Sequence, residues 1–282
     1  MVNKKIFMTG ASGFIGSHLV KLFLRKGYIV IAPTRATMSN NKFIHRNLIW
    51  LNNCPLNKIK IEFLENCESV VHLASHCPNA PYDKLEKYIK INCLDTLNFF
   101  QKCASLGIDK FLIAGSAFEY GESSNDFKFI PPTAPLLPVG AYPSSKVMSF
   151  YMIREFSRLN KINVSYQRIF QVYGDGENEN RFWPSLRKAA LRGDDFHMSQ
   201  GNQIRDFIDV KDVARKLFHA YEKLTNNSDN FIVENIGNGQ GIKLKNFAKQ
   251  WWEKFEGKGS LIFGEKELRV TDFKRIVPKI LE

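Results

Sequence analysis

With 282 residues, 44% of them hydrophobic and 24% charged, the chain can bury a sizeable core, which excludes disorder as its default state. Forty Lys and Arg against 28 Asp and Glu give a formal charge of +12, a balance suited to anionic ligands. The basic residues are scattered, and the densest groups are as short as Lys243, Lys245 and Lys249, so no nucleic-acid partner is expected.

Strand candidates at 5–9, 28–33, 47–51, 69–73, 111–114 and 164–169 are bounded by Gly, Pro, Asn or Ser. Several are apolar at consecutive positions, as parallel strands covered on both faces are. Helical patterns fit between them at 15–26, 83–106 and 143–160. This alternation predicts an α/β fold built on a doubly wound parallel sheet, the Rossmann arrangement. Beyond Phe170 the rhythm breaks. A Gly- and Asn-rich loop (174–180) precedes a helix at 184–192, a short segment at 196–203, a helix at 210–224, a strand at 230–236 and a helix at 244–255. No internal repeat or low-complexity tract interrupts it.

Gly10, Gly13 and Gly16 stand in Thr9-Gly-Ala-Ser-Gly-Phe-Ile-Gly, directly after the first strand and opening the first helix. Such a turn brings a pyrophosphate against bare backbone at a helix N-terminus, and the third glycine allows close helix–strand packing. Ser12, Phe14 and Ile15 complete this expected dinucleotide site. The second strand ends Ile31-Ala-Pro-Thr-Arg35, without the carboxylate that usually receives the adenosine ribose of NAD. Thr34 and Arg35 can instead hold a 2′-phosphate, so NADP(H) is the expected cofactor; a plain surface arginine is the alternative. Residues 1–170, rejoined by 205–236, are expected to form the dinucleotide-binding domain. The segments 171–204 and 237–282 would form a small C-terminal substrate-binding lobe.

Tyr142 and Lys146 lie one helical turn apart, where an ammonium can stabilise a tyrosinate and bring its pKa toward neutrality. Alone, the spacing is common in amphipathic helices. Its company is Ser116, just past the fifth strand, whose hydroxyl could orient a carbonyl beside the phenol.

With these motifs the sequence resembles the extended short-chain dehydrogenase/reductases, the NAD-dependent epimerase/dehydratase family. The similarity runs through Thr9–Gly16, Val71-His-Leu-Ala-Ser75, Asn92, Ser116 with Tyr120-Gly121, Tyr142 to Lys146, and Arg168 with Val172-Tyr-Gly174. It continues in Arg205-Asp-Phe-Ile-Asp-Val, Asp212-Val-Ala and Asn235-Ile-Gly237. The resemblance implies that Ser116, Tyr142 and Lys146 are catalytic and that Lys146 also meets the nicotinamide ribose. It implies that Leu73, Ala74, Ser75 and Asn92 line the cofactor, and that Arg205 grips the diphosphate of a sugar nucleotide. A salt bridge from Arg205 to Asp206 or Asp209 is the alternative. Ser75, Ser116, Ala117, Phe118, Tyr142, Gln171 and Phe196 join Arg205 as expected substrate contacts. Phe196, Trp183 and Met198 could equally be core residues of the small lobe.

Departures from subfamily patterns narrow the reaction. The 4,6-dehydratases carry Asp-Glu after the catalytic hydroxyl, where this chain has Ala117 and Phe118. Epimerase-reductases of the GDP-fucose synthase type use a Cys at the Phe118 position and a His after Tyr-Gly, and neither is present. Glu119 is expected to point away from substrate, as a neighbour of Phe118 in an extended segment. Gln171 stands where Asn usually precedes Val-Tyr-Gly. The character is that of nucleotide-sugar 4-ketoreductases such as CDP-abequose, CDP-paratose or dTDP-fucose synthases. A 4-epimerase with tightly bound NAD and a non-catalytic dinucleotide sensor are the alternatives.

The helices at 83–106 and 143–160 carry apolar residues around much of their circumference, so each packs on the core and on something else. The resemblance implies that these two helices pair across a homodimer, with burial under loops of the same chain as the alternative. The five cysteines (Cys54, Cys67, Cys77, Cys93, Cys103) form no Cys-x-x-Cys pair and are odd in number. Neither a disulfide framework nor a metal site is expected. The chain opens on Ile6-Phe7-Met8 without a signal-peptide pattern, and no apolar stretch approaches the ~20 residues that span a bilayer. A cytoplasmic enzyme with no membrane partner is expected.

Overall fold

A computed structural model describes residues 4–35, 43–79, 81–226, 230–267 and 273–280. The outermost parts of the expected domain segments, 1–3 and 281–282, lie outside the described residues, as does 268–272 in the tail. The chain begins with β1 (Lys5–Thr9), α1 (Phe14–Arg25), β2 (Ile29–Pro33), β3 (Leu48–Leu51) and β4 (Ser69–His72). Then come α2 (Leu85–Tyr88), α3 (Thr96–Ser105), β5 (Lys110–Ser116), α4 (Ala141–Asn160), β6 (Asn163–Ile169) and β7 (Gln171–Tyr173). They lead to α5 (Phe182–Arg192), β8 (Phe196–Met198), β9 (Ile204–Arg205), β10 (Phe207–Asp209), α6 (Val210–Asn226) and β11 (Phe231–Ile236). The last elements are β12 (Ile242–Lys243), α7 (Leu244–Lys254), β13 (Leu261–Phe263) and β14 (Arg275–Ile276).

Seven strands form one sheet in the order β11-β6-β5-β4-β1-β2-β3. Every neighbouring pair in it is parallel. The consecutive apolar residues of β1 explain its central place. Ile6 and Met8 face a core shared with Leu19, Val20 and Phe23 of α1 and Val213, Leu217 and Tyr221 of α6. Phe7, on the opposite face, meets Phe99 and Phe100 of α3 and Phe150 and Ile153 of α4. Helices therefore cover both sides, as the α/β reading requires. β1 lies between β2 and β4, so the direction of winding reverses there. At such a point the connections leave to opposite sides and open a crevice at the strands' carboxyl ends.

Two smaller cores lie beyond the sheet. Leu186 and Ala190 of α5, Phe196 and Met198 of β8, and Ala248 and Trp252 of α7 form one. Ala117, Tyr120, Ile130, Phe170 and Ile276 form the other. The expected single helix at 83–106 is instead two α-helical pieces joined by a π-helical stretch, Ile89–Asp95. Apolar periodicity does not separate the two helix types, because both bury one face against the same core. Such wide turns are frequent at functional sites.

Candidate active site

A cleft of about 950 Å³ opens at the carboxyl ends of the central strands. Gly10, Ser12, Gly13, Phe14, Ile15, Gly16, Thr34, Arg35, Leu73, Ala74, Ser75 and Asn92 all line it. So do Ser116, Ala117, Phe118, Tyr142, Lys146, Gln171 and Arg205. Phe196 does not. It is buried in the core between α5 and α7, with its ring 5.7 Å from that of Phe182 and 6.5 Å from that of Trp252. Trp183 and Met198 are likewise buried core residues, Trp183 among Tyr173, Trp251 and Phe255. A large ring gains more from complete removal from water than from one wall of an open cleft, and this core is the nearest place for it.

The glycine turn is built by close backbone approach. Gly13 N donates to Gly10 O at 2.9 Å, turning the chain into α1. Gly10 has φ +73, and a methyl there would lie 2.8 Å from Ala74 N and from Leu73 C. A methyl at Gly16 would run into the Gly10 carbonyl, whereas one at Gly13 would come only within 3.1 Å of it. The turn thus presses against the end of β4 and leaves the first N–H groups of α1 facing the cleft, a fit for a diphosphate. Thr9 and His72 join β1 to β4 beneath it: Thr9 Oγ1 lies 2.9 Å from His72 Nδ1 and accepts from Ala74 N at 3.3 Å. Burial, with the Lys146 cation adding to it, holds the His72 imidazole down to about 3. His72 is therefore a neutral fixture.

Charge in the cleft is mostly positive. Arg35, Lys87, Lys90, Lys146, Arg181 and Arg205 line it, against Asp95 and Glu177. Neither carboxylate stands at the end of β2, where Pro33, Thr34 and Arg35 meet Cys54, Pro55 and Leu56. Asp95 accepts from Lys90 Nζ at 2.9 and 3.1 Å, and Glu177 from Arg181 Nε at 3.3 Å.

Tyr142 and Lys146 stand in the first two turns of α4, and Ser116 closes β5. Pro143 suits this helix start because an early helical position has no use for its missing N–H. Lys146 is buried, and its ammonium donates to the Ala114 carbonyl at 2.7 Å. Asn92, in the wall of the cleft, also braces the helix. Its Oδ1 accepts from His76 N at 2.8 Å, its Nδ2 donates to Ser145 Oγ at 3.0 Å, and Ser145 donates to Tyr142 O at 2.8 Å.

The lowered phenol pKa expected from the Tyr-x-x-x-Lys spacing is not what the geometry gives. Tyr142 is pushed up to about 12, first by burial and second by the negative charge of Glu119. The Ser116 hydroxyl, the Arg181 cation and the Ser75 hydroxyl pull the other way. The half-buried setting of the phenol limits the hydration of its anion, and the Lys146 ammonium is drawn onto Ala114 instead of the phenol.

Arg205, on β9, is buried, with Nη1 donating to Ile204 O at 2.9 Å and Phe273 O at 2.7 Å. The Asp206 carboxylate turns to the backbone N–H groups of Asn238 and Gln240. Among the cleft residues that were not singled out from the sequence are Glu177, raised to about 7 by burial against the pull of Arg181, and Arg181 itself. Arg181 also donates to Asn79 Oδ1 at 3.1 Å, tying the loop after β4 to the start of α5. Their i, i+4 spacing with opposite charge was the available signal.

Among the described residues no group of His, Cys, Asp and Glu could hold a metal ion, and no helix is long and apolar enough to cross a membrane.

A family model described as the NAD dependent epimerase/dehydratase family matches residues 6–237. A protein named CDP-abequose synthase, from Salmonella muenchen, is 29% identical over 255 residues, covering 86% of this chain and 78% of its own. A putative UDP-glucose 4-epimerase from Methanocaldococcus jannaschii is 30% identical over 249 residues, covering 83% of this chain and 77% of its own. Among solved structures, MoeE5 in complex with UDP-glucuronic acid and NAD superposes with a TM-score of 0.84 at 26% identity, over 98% of this chain and 90% of that one.

Proposed function

The chain belongs to the NAD dependent epimerase/dehydratase family, and from that premise we propose that it catalyses NADPH-dependent reduction of the C4 ketone of a nucleotide-diphosphate-linked 4-keto-6-deoxyhexose. The observation that carries the reading is one shared cleft: Ser116, Tyr142 and Lys146 line it with the glycine turn, while the residues after Ser116 are Ala117 and Phe118. One hydroxyl–phenol–ammonium set without a second acid–base pair is enough for a single proton transfer and one redox step. In this reading 1–170 with 205–236 holds the dinucleotide, 171–204 and 237–282 hold the sugar nucleotide, and the product is an activated deoxysugar made in the cytoplasm.

Gly10, Ser12, Gly13, Phe14, Ile15 and Gly16 would hold the dinucleotide's diphosphate, Thr34 and Arg35 its adenosine end, and Leu73, Ala74 and Ser75 its inner length. When bound, the dinucleotide supplies hydride for the ketone carbon. The chain's own residues handle the oxygen. Ser116 holds it by a hydrogen bond, and Tyr142 gives it a proton. A phenol pushed up to about 12 keeps that proton at neutral pH, which supports the reductive direction. Lys146, held by Ala114, orients the phenol side of the site and reaches the ribose. Arg205 meets the substrate diphosphate. The surplus of cations along the cleft suits two diphosphates.

The 4-epimerase reading is favoured by the likeness to a putative UDP-glucose 4-epimerase and to a structure holding NAD. One assay separates the readings: NADPH oxidation against CDP-, dTDP- and GDP-linked 4-keto-6-deoxy sugars. Turnover supports the reductase. NAD that co-purifies, with sugar interconversion and no net cofactor use, replaces it with the epimerase. Cofactor binding without turnover of any sugar leaves a sensor.

We also propose a homodimer. Leu94, Met148 and Tyr151 are exposed on the π-helical stretch and α4, while Phe99, Phe100, Phe150 and Ile153 of α3 and α4 are buried in the sheet's core. A monomeric mass in solution would refute it.

A further inference from the structure

On the core side of Ser116 lies a charge pair that the reaction above leaves unused. Glu119 stands in the turn after β5 and Arg168 on β6, with side chains 0% and 2% exposed. Glu119 Oε1 accepts from Ser116 N at 2.8 Å and from the Tyr166 hydroxyl at 2.8 Å, and Oε2 accepts from Arg168 Nε at 2.8 Å. Ser116 Oγ accepts from Phe118 N at 3.2 Å, which closes a capping box around the turn. Arg168 Nη1 donates to Pro132 O at 2.8 Å and to the Tyr120 hydroxyl at 3.2 Å. Tyr120 in turn donates to Asn235 Oδ1 at 2.6 Å.

The space for this carboxylate is built into the strand. A methyl at Gly115 would come within 3.0 Å of Glu119 Oε1 and run into the Tyr166 ring. Burying two charges is costly, and an apolar pair of similar volume often does as well for stability. Here both members of the pair are hydrogen-bonded, and the carboxylate is bonded to the backbone of a residue in the site. Its influence reaches the other two as well. After burial, the Glu119 charge is the next cause acting on both Tyr142 and Lys146, raising each.

We propose that Glu119 is a positioning residue for the whole triad: its buried carboxylate, balanced by Arg168, fixes the Ser116 backbone and sets the negative charge beside which Tyr142 and Lys146 sit. The proposal rests on Ser116, Tyr142 and Lys146 being the catalytic residues.

Two measurements test it. In the first, which needs no substrate, tyrosinate absorbance is titrated in the wild type and in Glu119→Gln/Arg168→Met, each against its own Tyr142→Phe counterpart. The double replacement keeps an acceptor for Ser116 N and leaves no unpaired cation. The Tyr142 transition is expected to move down by about one pH unit or more. An unmoved transition overturns the proposal, and so does a double variant that no longer binds NADPH, since the pair would then be a folding element. The second is a kinetic cycle of Ser116→Ala, Glu119→Ala/Arg168→Met and their combination, on whichever nucleotide sugar the wild type turns over. Each is expected to lower kcat at least ~10-fold with KM within about twofold, and the combination to be no worse than the poorer single arm. Losses that multiply overturn the proposal. A wild type that turns over none of the sugars sinks the reaction proposed above instead, and the phenol titration then decides alone.

Discussion

The Lys146 ammonium donates to the Ala114 carbonyl at 2.7 Å, so the one cation of the proposed triad is anchored on the strand that ends in Ser116. Replacing it by Met removes the charge at similar length and leaves that carbonyl without its donor. The Lys146→Met variant is expected to lose about 1–3 kcal/mol of stability and at least ~100-fold in kcat/KM. Arg is not expected to rescue it, because a planar fork cannot replace a compact ammonium in a buried slot. Urea unfolding and steady-state kinetics on the same preparations check both parts.

Tyr142 carries a different kind of prediction. Tyr142→Phe is expected to lower kcat at least ~100-fold while NADPH affinity stays within about twofold, because in the proposed reaction the phenol gives the proton and does not hold the cofactor. The pH profile adds a sign. The proton-donating form exists below the pKa, and that lies at about 12 in the free protein. Since kcat/KM reports ionisations of the free enzyme, it should show no alkaline limb from Tyr142 in the neutral range. A limb near neutrality that vanishes in Tyr142→Phe would contradict the raised value.

The sheet and the cleft were largely legible in the sequence, because both depend on local pattern. Ile6-Phe7-Met8 is apolar at consecutive positions since each face of β1 meets a helix layer. Gly10 marks backbone that must come within a methyl's width of the chain leaving β4, and Gly16 marks backbone that must come as close to Gly10. What stayed hidden depends on partners far along the chain. Two-residue strands such as β9, β12 and β14 show no period to read. Phe196 has the same composition whether it faces a sugar or Trp252. Arg168 in a strand buried along nearly its whole length needs a partner of opposite charge, but Glu119 lies 49 residues away. The Tyr142 pKa follows from that same distant carboxylate and from burial, neither of which a four-residue spacing contains.

Gly13 and Gly16 separate fold from binding. A methyl at Gly16 meets the Gly10 carbonyl, which is backbone and cannot swing aside, so Gly16→Ala should melt earlier and bind NADPH at least ~10-fold more weakly. A methyl at Gly13 comes no closer than 3.1 Å to that carbonyl. Gly13→Ala should therefore keep most of its stability and lose cofactor affinity alone. Thermal melting beside a fluorescence titration distinguishes the two; equal losses of stability would mean that Gly16 is not the packing glycine.

Arg35 lines the cleft beside Thr34 at the end of β2, where the proposed reaction would place a 2′-phosphate. A charge-assisted hydrogen bond contributes about 1.5–3 kcal/mol, so Arg35→Ala should weaken NADPH binding by roughly 10- to 150-fold. NADH binding should barely change. Equal effects on the two cofactors would place Arg35 elsewhere than on the phosphate that distinguishes them.

The contribution of His72 to stability should begin to fall in acid before most carboxylates lose their charge. The folded imidazole is held at about 3 against an ordinary 6.5, so between those values the unfolded chain binds a proton that the folded one refuses. Stability is untouched by this residue above 6.5 and falls as pH drops below it, by up to about 1.4 kcal/mol per unit. Glu177 runs the other way. Its folded carboxyl is raised to about 7 from 4.5, so in that window the folded state holds the extra proton and stability declines as pH rises. From 4.5 to 6.5 the two contributions oppose each other; below 4.5 that of His72 stands alone. His72→Gln keeps a hydrogen-bonding partner for Thr9 but cannot titrate. Its urea midpoint relative to the wild type should therefore climb steadily as the buffer is taken from above 6.5 down toward 4.5. A gap between the two proteins that stays constant over that range would show that the His72 ring takes up its proton without opening the fold.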